Sequence, residues 1–260
     1  NPDGSVNIDE FKKLLNKDVC FVSIMHVNNE TGAVNDLQKI VKLTKAVAPK
    51  SIVHSDGVQA LMKVKVNLMN LGVDMYSVSA HKVHAPRGVG GLYIRKGVRI
   101  NPLILGGGQE KGLRSATENL AGIVAFSKIL EKYDKMFNEN VEKRKVVLDY
   151  LRQKISDSMP EHLIVSPENS PHILMIALKG VRGEVMLHSL EDYGILIGVG
   201  SACSSKKGIN KFQSLLNLDD EHKEGIIRVS VSETNTIEEC DFFLEKLKYL
   251  TEKLTDYKRI

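Results

Sequence analysis

Between Ile8 and Ser79 the chain alternates short β-type runs with helix-length stretches, and this alternation limits its fold more than any other feature. A helical stretch reaches Leu15, and the apolar run Val19 to Val27 reads as a strand. Asp36 to Val47 then has helical spacing, and Ile52 to Ser55 and Met75 to Ser79 read as further strands. Strands separated by helix-length segments need crossover connections, so the sheet is expected to be mostly parallel and the fold α/β. Gly90 to Arg95 reads as one more strand, closed by Lys96-Gly97.

After the run Gly106-Gly107-Gly108, residues from about Ala121 to Ser158 keep helical spacing, rich in Lys and Glu, with no Gly after position 122 and no Pro before position 160. One long helical region is expected, of the kind that bridges domains. Beyond it, His162 to Val165, Ile173 to Leu178 and Ile226 to Val231 are short strand candidates, and a helix begins near Thr236. At 260 residues and 42% hydrophobic content the chain can build two cores. The boundary is placed near residue 136, with 1–136 as part of a large α/β domain and 137–260 as a smaller α+β domain.

The charge balance of 36 Lys and Arg against 32 Asp and Glu gives a net +4, with the lysines scattered rather than gathered beside aromatics. No nucleic-acid partner is expected. The most apolar run, Val19 to Val27, is broken by Ser23 and His26, so no membrane span is expected either. Cysteines at 20, 203 and 240 form no close pair and no metal-ligand spacing, which suits a reducing, cytoplasmic setting. The chain opens on the turn sequence Asn1-Pro2-Asp3-Gly4 without an initiator Met, and is expected to begin within a longer protein.

In an open parallel sheet, ligands bind beyond the carboxyl ends of the strands. Four polar clusters follow the predicted strands there: His26 to Gly32, Asp56 with Gln59, Ser79-Ala80-His81-Lys82, and the loop from Gly106 to Thr117. An amine and a carboxylate such as Lys82 and Asp56 are what pyridoxal 5′-phosphate requires, one as a Schiff-base partner and one to hold the ring nitrogen protonated. Ser79 and His81 suit phosphate oxygens. Taken singly, Lys82 also reads as a solvated loop lysine and Asp56 as a helix cap. His54, Asp56, His81 and His84 are a competing metal-site reading that explains the residues less well. The glycine runs lack the G-K-S/T ending of a phosphate loop and the third glycine of a dinucleotide fingerprint.

Five motifs, in order, change the balance: N-N-E-T-G from Asn28, H-S-D-G-V-Q from His54, S-A-H-K from Ser79, G-G-G-Q-E-K-G-L-R-S-A-T-E-N from Gly106, and G-S-A-C-S-S from Gly200. In this the chain resembles the class-V aminotransferase group, and specifically the cysteine desulfurases, from about residue 6 to its end. The resemblance implies an aspartate-aminotransferase-like (fold type I) pyridoxal-phosphate enzyme that converts L-cysteine to L-alanine. It implies Lys82 as the Schiff-base lysine, Asp56 as partner of the pyridine nitrogen, Gln59 on the ring hydroxyl, and Ser79 and His81 on the phosphate. Thr117 would reach the phosphate of a second subunit, giving a homodimer. Asn29 would contact cofactor and substrate, Arg228 would clamp the substrate carboxylate, and Cys203 would take the sulfur. A sulfur-acceptor or scaffold protein, serving iron–sulfur clusters or thio-cofactors, is the implied partner. Relatives carry an upstream segment with a phosphate-cradling turn and a ring-stacking histidine, so a fragment of a complete enzyme is expected. A selenocysteine lyase, another class-V aminotransferase, or a truncated non-catalytic interaction module are the alternatives. Met175 replaces a common Asn and Ala116 a usual Gly, neither being expected to touch a residue named for chemistry.

Cys203 lies among the small residues of Gly198 to Gly208, which are expected to be mobile, with Lys206 and Lys207 near enough in sequence to favour a thiolate. Cys20, in the first apolar strand, and Cys240, on the stripe Ile237, Cys240, Leu244, Leu247, both read as core residues.

Overall fold

The computed structural model describes residues 1–199 and 214–257. By density of contacts, residues 8–26 and 36–137 form one unit, and residues 1–7, 27–35 and 138–260 form another.

In the first unit, β1 (Phe21–Met25), β2 (Ile52–Asp56) and β3 (Met75–Ser79) are parallel, and β4 (Gly90–Ile94) is added antiparallel, in the order β1-β2-β3-β4. Helix α1 (Ile8–Leu14) buries none of its residues, whereas α2 (Leu37–Val47) buries Leu37, Ile40, Val41 and Thr44, one stripe at helical spacing. Asp36 caps α2 by accepting from the Lys39 N–H at 3.0 Å. β2 alternates, with Val53 and Ser55 buried and Ile52, His54 and Asp56 half-buried. Asp74, just before β3 and buried, accepts from the Val53 N–H at 2.8 Å and from Lys45 Nζ at 2.7 Å, tying α2 and the start of β3 to β2. A short helix α3 (Leu68–Leu71) precedes it.

Cys20 corrects an expectation. It is exposed and stands before β1, whose first residue, Phe21, is exposed as well, so the apolar run there does not mark the core. The long helical region is also two helices, α4 (Leu120–Lys135) and α5 (Phe137–Ser158). They break at Met136, where φ of −105° and ψ of 12° leave the helical range.

In the second unit, β5 (Leu163–Ile164), β6 (Ile173–Ala177), β8 (Ile226–Ser230) and β7 (Gly198–Val199) form an antiparallel sheet in that order. Leu174 and Ile176 of β6 and Ile227 of β8 pack with Leu148, Leu151 and Ile155 of α5. The same core includes Met186 of α6 (Gly183–Glu191) and Leu247 of α7 (Ile237–Tyr257). Each of these side chains contributes about 1.5–3 kcal/mol by its burial. The alternate residues Met175 and Ile226 pack elsewhere, with Leu216. Cys240 is a core residue as expected. Burial first, then the charge of Asp241, pushes its thiol up to about 11, which leaves it unreactive at neutral pH.

Candidate active site

The three parallel strands of the first unit end side by side. His26 N–H donates to the Asp56 carbonyl and Gly57 N–H to the Ser77 carbonyl, both at 2.8 Å. Asp56 and the residues after Ser79 therefore share one sheet edge. A 3₁₀ turn, Ala80–Val83, follows β3 directly, and its buried Ala80 and Val83 pack with Ala85 and Phe126. That anchoring leaves His81 and Lys82 on the exposed side of the turn. Ser79 Oγ and His81 Nδ1 share a hydrogen bond of 2.8 Å, so a hydroxyl and an imidazole are presented together. The Lys82 carbonyl accepts from Lys63 Nζ at 2.9 Å, while its own amine stays at the surface.

Asp56 Oδ1 accepts from the Val58 N–H at 2.9 Å, so the carboxylate does cap the turn after β2. Gln59 lies half-buried in that turn. His54 is tied down on both ring nitrogens, by Ser23 Oγ at 2.8 Å and Ser77 Oγ at 3.2 Å, and stacks on Phe21. His84, left without a role by the sequence, ends the turn in the left-handed conformation at φ 63° and stacks on Tyr133.

Sequence reasoning missed Tyr76. Its ring lies so close to Gly57 that a Cβ there would come within 1.9 Å of it, which explains the glycine directly after Asp56. Burial, then the nearby Asp56 carboxylate, pushes the phenol well above its ordinary value. Tyr76 Oη and His26 Nδ1 share a hydrogen bond of 2.9 Å, and burial lowers His26 to about 4. The only signal in the sequence was an aromatic on the buried side of a predicted strand.

That histidine sets a pH dependence. Above pH 6.5 His26 is neutral folded and unfolded, and contributes no slope. As pH falls towards 4, only the unfolded chain takes up its proton, so stability is expected to drop by about 2 kcal/mol at pH 5 and about 3 at pH 4. Urea unfolding between pH 7 and 4 measures it. His26→Asn should flatten the profile by that amount, and an unchanged profile would remove His26 as the cause.

Thr117 is exposed and lines a cavity of about 610 Å³ beside Gly90, Gly91 and Leu92 of β4. Its neighbour Ala116 has φ of 151°, a backbone that glycine adopts without strain, which accounts physically for the glycine usual there.

In the second unit, N-N-E-T-G forms a tight loop. Asn28 Oδ1 accepts from the N–H groups of Glu30 and Thr31 at 2.8 and 3.0 Å, and the Gly32 N–H returns to the Asn28 carbonyl at 3.0 Å. Arg228, on β8, donates through Nη1 to the Asn29 carbonyl at 3.0 Å and lies 3.2 Å from Glu30 Oε2. Asn29 and Arg228, 199 residues apart in sequence, are thus brought together. Glu30 is the partner that sequence reasoning overlooked. Met175 is also nearer the chemistry than expected, because it is the register partner of Arg228 across β6 and β8. Cys203, with Lys206 and Lys207, lies outside the described residues.

The sequence model of the aminotransferase class-V family matches residues 1–243. The chain belongs to this family. It is 36% identical over 255 residues to the cysteine desulfurase IscS of Dictyoglomus turgidum, covering 97% of this chain and 64% of that protein. It is 42% identical over 252 residues to a NifS/IcsS protein homolog of Lactobacillus delbrueckii subsp. bulgaricus, covering 93% of this chain and 64% of that one. The chain thus spans somewhat less than two thirds of the length of these curated relatives. Among solved structures, a NifS-like protein superposes with a TM-score of 0.88 at 34% identity, over 97% of this chain and 67% of that one. A NifS-like protein from Rickettsia africae gives 0.87 at 28% identity, over 97% and 68%. The fold is accordingly the fold type I α/β architecture, its mostly parallel sheet accompanied by an α+β unit.

Proposed function

We propose that this chain is part of a pyridoxal-phosphate-dependent cysteine desulfurase, which converts L-cysteine to L-alanine and passes the sulfur to Cys203. The observation that carries the reading is the donor set at one sheet edge: a carboxylate at Asp56, a hydroxyl–imidazole pair at Ser79 and His81, and an exposed amine at Lys82. These groups fit pyridoxal phosphate in kind, matching an acid-binding ring nitrogen, a phosphate and an aldehyde. When bound, that cofactor supplies an electron-withdrawing ring that acidifies the substrate α-carbon.

Lys82 would be the covalent anchor for the cofactor and would carry the substrate α-proton. Asp56 would hold the ring-nitrogen proton, Gln59 would donate to the ring hydroxyl, and Ser79 with His81 would receive the phosphate. Asn29 contacts cofactor and substrate, and Arg228 receives the substrate carboxylate. The Cys203 thiolate forms the S–S bond as the substrate C–S bond breaks, and the resulting persulfide goes to an acceptor protein for iron–sulfur cluster or thio-cofactor assembly. Residues 1–136 belong to the cofactor-binding domain and 137–260 to the smaller domain that carries Cys203.

Thr117 serves the phosphate of a second copy, and the enzyme works as a homodimer. Leu103 and Leu105, 94% and 79% exposed, give that copy an apolar surface to cover. Among the described residues no helix is long and apolar enough to cross a membrane, and a cytoplasmic setting fits the sulfur chemistry.

The test is product analysis. The cofactor-loaded protein given L-cysteine and a thiol reductant should release alanine and sulfide in equal amounts. Transamination with a keto acid, or turnover of L-selenocysteine alone, would assign it to another class-V activity. A colourless protein that stays colourless with added cofactor would make it a non-catalytic module.

A further inference from the structure

Arg228 has a planar fork of five N–H donors, and a carboxylate is received best by two adjacent donors on one edge of it. The Nη1 end already donates to the Asn29 carbonyl at 3.0 Å and pairs in charge with Glu30 Oε2 at 3.2 Å, an oxygen that makes no well-aligned hydrogen bond. The Glu30 side chain is 11% exposed, so its charge needs compensation, and among the described residues this comes from Arg228 and from the Asn29 Nδ2 donor, 3.3 Å from Oε1. Burial raises its pKa, while the charge of Arg228 and the hydrogen bonds oppose that rise.

A second observation concerns the opposite edge. Gly198 of β7 is the register partner of Arg228, and a Cβ there would sit 3.0 Å from Nη2 and 3.2 Å from Nε. The missing side chain keeps clear the edge that the loop leaves unused.

We propose that Glu30 is a positioning residue for Arg228, holding Nη1 so that the Nη2–Nε edge receives the substrate carboxylate, with Gly198 keeping that edge open. The identity of the carboxylate, that of L-cysteine, rests on the functional reading above. Glu30 touches no reacting atom and acts only through Arg228.

The test is a double-mutant cycle on the cofactor-loaded full-length enzyme. Glu30→Ala is expected to raise KM for L-cysteine about tenfold with a smaller change in kcat, because a clamp swung by even 1 Å costs up to about a hundredfold. Glu30→Gln should fall between the two, and Gly198→Ala should raise KM in the same direction while leaving Glu30 intact. In an Arg228→Ala background, Glu30→Ala should add less than about twofold, since coupled residues are non-additive. A lower or unchanged KM in Glu30→Ala, or its full effect without Arg228, would overturn the proposal. The Arg228 Nη1–H resonance of ¹⁵N-labelled protein gives a second readout that needs no turnover. It should exchange slowly in the wild type and rapidly in Glu30→Gln, and identical exchange in the two would also overturn it. If the wild type makes no alanine from L-cysteine, the functional reading fails by itself, and the resonance still decides the positioning role.

Discussion

Lys82→Ala is expected to lower alanine formation from L-cysteine by at least about ten-thousand-fold, the scale of losing a covalent catalytic group, while thermal unfolding of the apo-protein stays unchanged. The second half of that expectation follows from local structure. The 3₁₀ turn is anchored by Ala80 and Val83, which the substitution does not touch. The hydrogen bond from Lys63 Nζ is accepted by the Lys82 backbone carbonyl, which alanine retains. An exposed lysine with no task would cost less than about 0.5 kcal/mol on removal and little activity. Steady-state assays beside calorimetry separate the two readings. A loss smaller than about tenfold would leave Lys82 as a solvated loop residue.

The largest expected stability effect is at Arg144. Its Nη1 donates to Glu233 Oε2 at 2.9 Å, with the two side chains 2% and 12% exposed. The pair joins α5 to the segment just beyond β8, the strand that carries Arg228. Arg144→Ala takes the compensating charge away from the largely buried Glu233 carboxylate, and a cost of about 3–5 kcal/mol is expected. Replacing both partners, as Arg144→Met with Glu233→Leu, should recover most of it, because two apolar groups have no desolvation penalty to offset. Urea unfolding of the single and double variants measures both numbers. A single-variant loss below about 1 kcal/mol would mean that the pair behaves as a surface one.

What was legible in the sequence followed from local rules. The strands at Ile52 and Met75 and the helix after Asp36 were readable because burial on one face writes a period into the chain. Asp56, Ser79, His81 and Lys82 were readable because strand ends in a parallel sheet gather at one edge. Cys20 misled because an apolar run signals a strand without saying which of its residues meet the core, and Phe21 beside it is exposed. The break at Met136 carries no Gly or Pro to announce it. The grouping of residues 27–35 with the C-terminal residues, and the ion pair of Glu30 with Arg228, are long-range events to which no periodicity refers. Tyr76 was hidden for a related reason, since only the ring position shows why Gly57 cannot carry a side chain.

The central claim joins a cofactor lysine to a sulfur-accepting cysteine, and the most direct measurement follows the sulfur itself. The cofactor-loaded enzyme is given L-cysteine without reductant, free thiols are alkylated, and the peptide holding Cys203 is weighed. The account expects that peptide to gain one sulfur atom in step with alanine released, with none gained in Lys82→Ala and neither sulfide nor persulfide produced by Cys203→Ser. Alanine formed while Cys203 stays unmodified, or undiminished sulfide release from Cys203→Ser, would contradict it.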